Sequence, residues 1–122
     1  MIAPLDAVLD PVARTRGVRA VVLAAEDDGV PVHAISQTDV DAETLTALGC
    51  RLYRSARLAS ERAGFGASSI MHVEAEGGQV VVARAGRDAG ALVLIILADG
   101  DANTGALRLV LARAATAAAE AA

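Results

Sequence analysis

The chain contains no lysine and no tryptophan, a single cysteine, and Tyr53 and Phe65 as its only large aromatic residues. Each absence removes a class of function. A phosphate-binding loop of the Gly-x-x-x-x-Gly-Lys type needs its lysine, so the chain is not itself a P-loop GTPase. Cys50, being alone, makes neither an internal disulfide nor a structural zinc site. A formal net charge of −4 runs against sequence-independent binding of nucleic-acid phosphates, which calls for an excess of basic side chains. No charged segment followed by an apolar core opens the sequence. The longest apolar run, residues 90–98, falls well short of the ~20 residues that cross a bilayer. The expectation is a soluble, cytoplasmic protein. Aromatic and buried polar residues are too scarce to line a ligand pocket well, which weighs against a small-molecule sensor and against any cofactor.

What is present is small and apolar. Of 122 residues, 54% are hydrophobic and 21% charged, a balance that expects a packed core and not disorder. The length suits one domain spanning residues 1–122. Val, Leu, Ile and much Ala stand in for aromatics, so each buried side chain contributes less area. Burial from a second subunit would help such a domain.

The pattern along the chain sets out its elements. Residues 4–15 read as a short helix that meets Pro11; either Asp10 caps a helix beginning there or the helix kinks. Residues 17–25 run apolar with almost no alternation, as a strand covered on both faces does. Asp28-Gly29 marks a hairpin turn into a strand from Val30 to Ile35, whose Pro31 fits only a sheet edge. Asp39 or Asp41 then offers an N-cap for a long helix over 42–63, ended by Gly64-Phe65-Gly66. On it Leu45, Leu48, Gly49, Leu52, Ala56, Ala59 and Ala63 recur at helical spacing and are expected to face the core. Ala47, Cys50, Arg54, Leu58 and Glu61 fall opposite. Residues 69–76 alternate, with Met71, Val73 and Ala75 facing one way; Gly77-Gly78 turns the chain, and 79–85 returns. After a loop over 86–90, residues 91–98 are apolar throughout. Asp101 or Asn103 caps a last helix reaching about Glu120, with Leu107, Val110, Leu111 and Ala114 as its apolar stripe.

These elements define an α/β (α+β) domain. The two strands without a polar face, 17–25 and 91–98, belong together at the centre, which leaves the proline-bearing strand and 69–76 as edges. A five-stranded antiparallel sheet of order 2-1-5-4-3 is expected, with the long helix on one face and the terminal helices on the other.

Three stretches carry a resemblance to a known family. One is Gly17-Val18-Arg19-Ala20-Val21-Val22-Leu23 leading into the acidic turn. Another is the Ala/Leu/Arg helix ending in Gly64-Phe65-Gly66. The most specific is Leu94-Ile95-Ile96-Leu97-Ala98-Asp99 followed by Asp101-Ala102-Asn103-Thr104-Gly105-Ala106-Leu107. Over nearly its whole length the chain resembles the Roadblock/dynein-light-chain superfamily, and its bacterial MglB-like members in particular. The resemblance implies a homodimer in which the 69–76 strand pairs antiparallel with its twin and the long helices pack together. It implies a non-catalytic interaction module that regulates or scaffolds a small Ras-like GTPase, or, alternatively, a structural self-assembling scaffold subunit without one. Pro11 departs from the family pattern.

The residues themselves point to two surfaces. Ser69, Ile70, Met71, His72 and Val73 carry no formal charge, so this edge lacks the usual block against strand addition and expects a second copy. Cys50, Tyr53 and Leu58 make an unusually apolar helix back, which suits the same contact; the ordinary reading is a surface with scattered apolar residues. Arg51, Arg54, Arg57 and Arg62 give the helix a basic face, either a docking patch for an acidic partner, with Arg51, Arg54 and Arg57 as its contacts, or a solvated face paired locally with Glu61. His33, His72 and Cys50 show no spacing that would bring them together as a catalytic or metal site. Asp27, Asp28, Asp99 and Asp101 read as turn and cap residues and not as cation ligands.

Overall fold

The computed structural model describes residues 5–37, 39–66, 70–85 and 92–121. Its elements are α1 (Leu5–Ala13), β1 (Val18–Ala25), β2 (Val30–Ser36), α2 (Ala42–Arg62), β3 (Ile70–Ala75), β4 (Gly78–Ala85), β5 (Leu92–Ala98) and α3 (Thr104–Ala121). The five strands form one antiparallel sheet in the order β2-β1-β5-β4-β3. Ser69 and the expected loop over 86–90 lie outside the described residues.

The apolar strands stand where their patterns require. β1 and β5 are paired at the centre, and Val21, Val22, Leu23, Leu94, Ile95 and Ile96 are buried, alternating between the two faces. On one face Val21, Leu23, Val81, Leu94 and Ile96 meet Leu9 and Val12 of α1 and Leu107, Leu111 and Ala118 of α3. On the other, Val22, Ala24, Val82, Val93 and Ile95 meet Cys50 and Tyr53 of α2. The proline-bearing β2 is an edge. Its register slips where Leu23 pairs with His33 but Ala24 pairs with Pro31, so Val32 is an extra residue and the strand bulges beside its proline.

Helix ends follow local chemistry. Asp41 caps α2 by accepting from the Thr44 backbone N–H at 3.2 Å and the Thr44 hydroxyl at 2.7 Å. These bonds favour the carboxylate and hold Asp41 below the usual range, the Thr44 hydroxyl contributing most. At the other end Phe65 N–H reaches the Ser60 carbonyl and Gly64 N–H the Glu61 carbonyl, both at 3.0 Å. This pair of bonds needs the left-handed φ of +83° that Gly64 supplies. Asn103 caps α3 through Ala106 N–H at 2.9 Å. The short helix expected over 4–15 is α1, and of the two alternatives at its proline the cap falls away: the helix spans Leu5–Ala13 and passes through Pro11, so Asp10 is not its cap. Pro11 is exposed, as is Ala7, whose carbonyl loses the donor that proline lacks.

Candidate interaction surface

The long helix is seated a different way round from the expectation. Thr46, Gly49, Cys50 and Tyr53 are its buried residues, whereas Leu48 and Leu52, expected in the core, are 52% and 49% exposed. The cause is close approach. A Cβ built on Gly49 would lie 2.7 Å from Ile95 Cδ1, so the helix settles its small-residue line directly onto the sheet, with Tyr53 filling the adjoining space. Cys50 and Tyr53 are thereby removed from the outer surface, and their expected part in a contact between copies is withdrawn. Leu45, partly buried, packs on the same cluster as Met71 and Val80. Beyond it Leu48, Leu52 and Ala59 continue an apolar stripe at helical spacing that the chain's own sheet does not cover.

Strand β3 completes this surface. It pairs only with β4 and forms the sheet's second edge. Met71 and Val73 pair with Val82 and Val80 and so share the α2 side of the sheet; Val73 is exposed and Met71 half-buried. Ile70 lies on the opposite side, packed against the α3 cluster. His72 has an internal role: its Nε2 lies 2.8 Å from Gln79 Oε1. Gln79 is itself buried and donates to the carbonyls of Asp99 and Ala102, both at 3.0 Å. That chain of bonds ties β3 through β4 to the loop before α3. The glutamine's place in it is hidden in sequence, because a lone polar residue at a strand start reads as solvent-facing.

The arginines of α2 divide. Arg57 Nη1 lies 2.5 Å from Oε1 of Glu26, a buried carboxylate at the end of β1, and Arg84 Nε lies 3.4 Å from its Oε2. Arg54 donates to the backbone carbonyls of Glu26 and Asp27 at 2.6 and 2.9 Å. The two residues expected to meet a partner thus pin α2 to the β1–β2 turn; Arg51 alone of the three is exposed without such a bond among the described residues. Arg57 also stands 4.0 Å from Glu61, the local pair expected. Glu26 escapes sequence reasoning because its neighbours Asp27-Asp28-Gly29 make it look like one more turn residue. An Arg57→Ala variant leaves a buried carboxylate with less compensation and is expected to lose about 2 kcal/mol. Urea unfolding checks this as a lower midpoint at unchanged slope, with Arg51→Ala as the unaffected control.

The remaining candidates do not converge. His33 pairs with Asp6 across β2 and α1, His72 is bound to Gln79, and Cys50 lies beneath α2. Among the described residues no group of three or more His, Cys, Asp and Glu side chains is placed to hold a metal ion. No described helix is long and apolar enough to cross a membrane. Burial pushes the Cys50 thiol above its ordinary range; nearby Arg54 opposes this and Glu26 adds to it. Cys50 is therefore expected to resist a thiol reagent such as DTNB in the folded protein and to react fully in urea. Equal rates in both states would contradict the seating of α2.

A sheet with one bulged and one open edge, and a long helix with a leucine stripe that its own sheet does not cover, make up an α+β domain. The chain belongs to the Roadblock/LC7 domain family, whose family model matches residues 4–97. It is 29% identical over 111 residues to an uncharacterized protein of Methanocaldococcus jannaschii, covering 91% of this chain and 90% of that one. Its fold is similar to that of the gliding protein MglB from Thermus thermophilus, with a TM-score of 0.85, 20% identity, and 97% and 87% of the two chains covered. A Roadblock/LC7 domain from Streptomyces avermitilis superposes with a TM-score of 0.80 at 25% identity, covering 93% and 92%.

Proposed function

We propose that residues 1–122 act as one domain, that two copies pair through β3 and the leucine stripe of α2, and that the pair is a non-catalytic, cytoplasmic docking platform for a small Ras-like GTPase. The observation that carries the pairing is the stripe itself. Leu48 and Leu52 stand about half exposed on the side of the sheet that also bears Met71 and Val73 at an open edge. A second copy brought antiparallel to β3 satisfies the edge and covers the leucines together, as an isologous contact requires. The interface then draws on Ile70, Met71, His72 and Val73, with Ser69 outside the described residues, and on Leu48, Leu52 and Ala59 in place of Cys50 and Tyr53. The GTPase rests on family membership and on likeness to MglB.

Light scattering of the purified chain tests the pairing; a monomer at high concentration overturns it. Co-elution with small GTPases encoded in the same genome, loaded with GDP or a GTP analogue, tests the partner. Nucleotide-dependent binding supports regulation. Equal binding in both states reduces the role to scaffolding, and no binding removes the GTPase. The alternative, a self-assembling scaffold without a GTPase, predicts species larger than the dimer and needs a contact beyond β3 and the stripe; one stable dimer and no other species counts against it.

A further inference from the structure

Strand β3 carries its polar chemistry on the side of the sheet away from α2. There Ile70, His72 and Glu74 pair with Ala83, Val81 and Gln79. Glu74 is exposed and His72 half-buried. Glu74 has no ion pair among the described residues. His72, by contrast, is held in one tautomer. The Gln79 amide nitrogen donates to the carbonyls of Asp99 and Ala102, groups that only accept, so its oxygen is the end that meets His72. The ring nitrogen against that oxygen, Nε2, must then carry the hydrogen. In the neutral ring Nδ1 is left with the lone pair. A histidine fixed by donating one N–H, with its other nitrogen open, has the preparation that metal-ligating imidazoles share.

One copy supplies too few ligands, an imidazole and a carboxylate about 7 Å apart along a strand. A second copy, antiparallel to β3 across a twofold axis, supplies the rest. A one-residue slip would turn the apolar side over, which leaves two registers that pair most of the strand, centred on His72 or on Val73. The first sets His72 against its twin and Glu74 against the second copy's Ile70. The other sets each His72 against the second copy's Glu74 and joins the two exposed Val73 side chains on the α2 side. Matched polar and matched apolar neighbours favour the register centred on Val73.

We propose that in this register the two His72 and two Glu74 side chains form one divalent-metal site of the zinc type at the junction of the copies; the site rests on the pairing of the preceding section and is incomplete without the second copy. Cross-strand neighbours lie about 5 Å apart, so the four groups mark the corners of a small rectangle on one face, within reach of a single ion. Two imidazole nitrogens and two carboxylates make the four-ligand set that zinc accepts, whereas magnesium and calcium call for oxygen ligands throughout. An ion held by both copies binds the pair and not the single chain, so it strengthens the pairing by mass action.

The test uses the full chain stripped with EDTA and Zn²⁺ alone as the probe. Calorimetry is expected to give one zinc for each two chains. Sedimentation is expected to show dimer dissociation reduced about tenfold or more by zinc and unmoved by Mg²⁺. Glu74→Gln and His72→Ala, each compared with its own metal-free state, are expected to lose that response, with circular dichroism checking the fold. A wild-type dimer that binds no zinc overturns the site and leaves the pairing standing. Zinc bound once per chain, or as tightly by the folded variants, overturns it as well. A chain that stays monomeric with zinc as without removes the pairing and the site with it.

Discussion

Replacing Leu48 and Leu52 together by glutamate is expected to convert the proposed dimer to a monomer whose fold is intact. Each side chain is about half exposed in the single chain, so neither holds the protomer together. At an isologous contact each change is felt twice, and apolar burial at roughly 25 cal/mol per Å² adds up to several kcal/mol. Burying four carboxylates adds a desolvation cost in the same direction. Dissociation is expected to rise by about a thousandfold or more. Sedimentation gives the mass and far-ultraviolet circular dichroism the fold. A variant still dimeric at micromolar concentration would remove the leucine stripe from the interface.

Tyr53→Ala is expected to have the converse signature. The side chain is completely buried between α2 and the sheet, and truncating it leaves a cavity that costs about 4 kcal/mol. For a chain of this size the melting temperature should fall by roughly 15 °C. A loss below about 1 kcal/mol would mean that α2 does not sit on the sheet as described. The two variants together separate the inner from the outer side of one helix.

The sheet is legible in sequence because its signals are one-dimensional. Unbroken apolarity in 91–98, and a run in 17–25 interrupted only by Arg19, call for cover on both faces, and Pro31 can stand only at an edge, so the strand order follows. The helix is not legible in the same way. Hydrophobic periodicity marks an apolar arc, and on α2 that arc is wider than the part the sheet covers. Choosing which part is inside turns on Gly49 and Ile95, residues far apart in sequence whose fit appears only when strand and helix meet. The leucines make the stronger pattern and so read as core; they are apolar for another surface. Arg54 and Arg57 mislead for a related reason. A basic helix face looks free until a buried carboxylate at the end of a distant strand, Glu26, is brought beneath it. The edge β3 is readable through what it lacks, formal charge from Ser69 to Val73.

The contrast between the sheet's two margins limits how large an assembly can grow. At β2 the proline and the extra residue Val32 spoil the hydrogen-bonding rhythm that an incoming strand must match, while β3 keeps it. Strand-by-strand growth therefore has a single port. Once two copies have used theirs on each other, the joined ribbon ends in a bulged margin on either side, and fibre formation by this route is closed off.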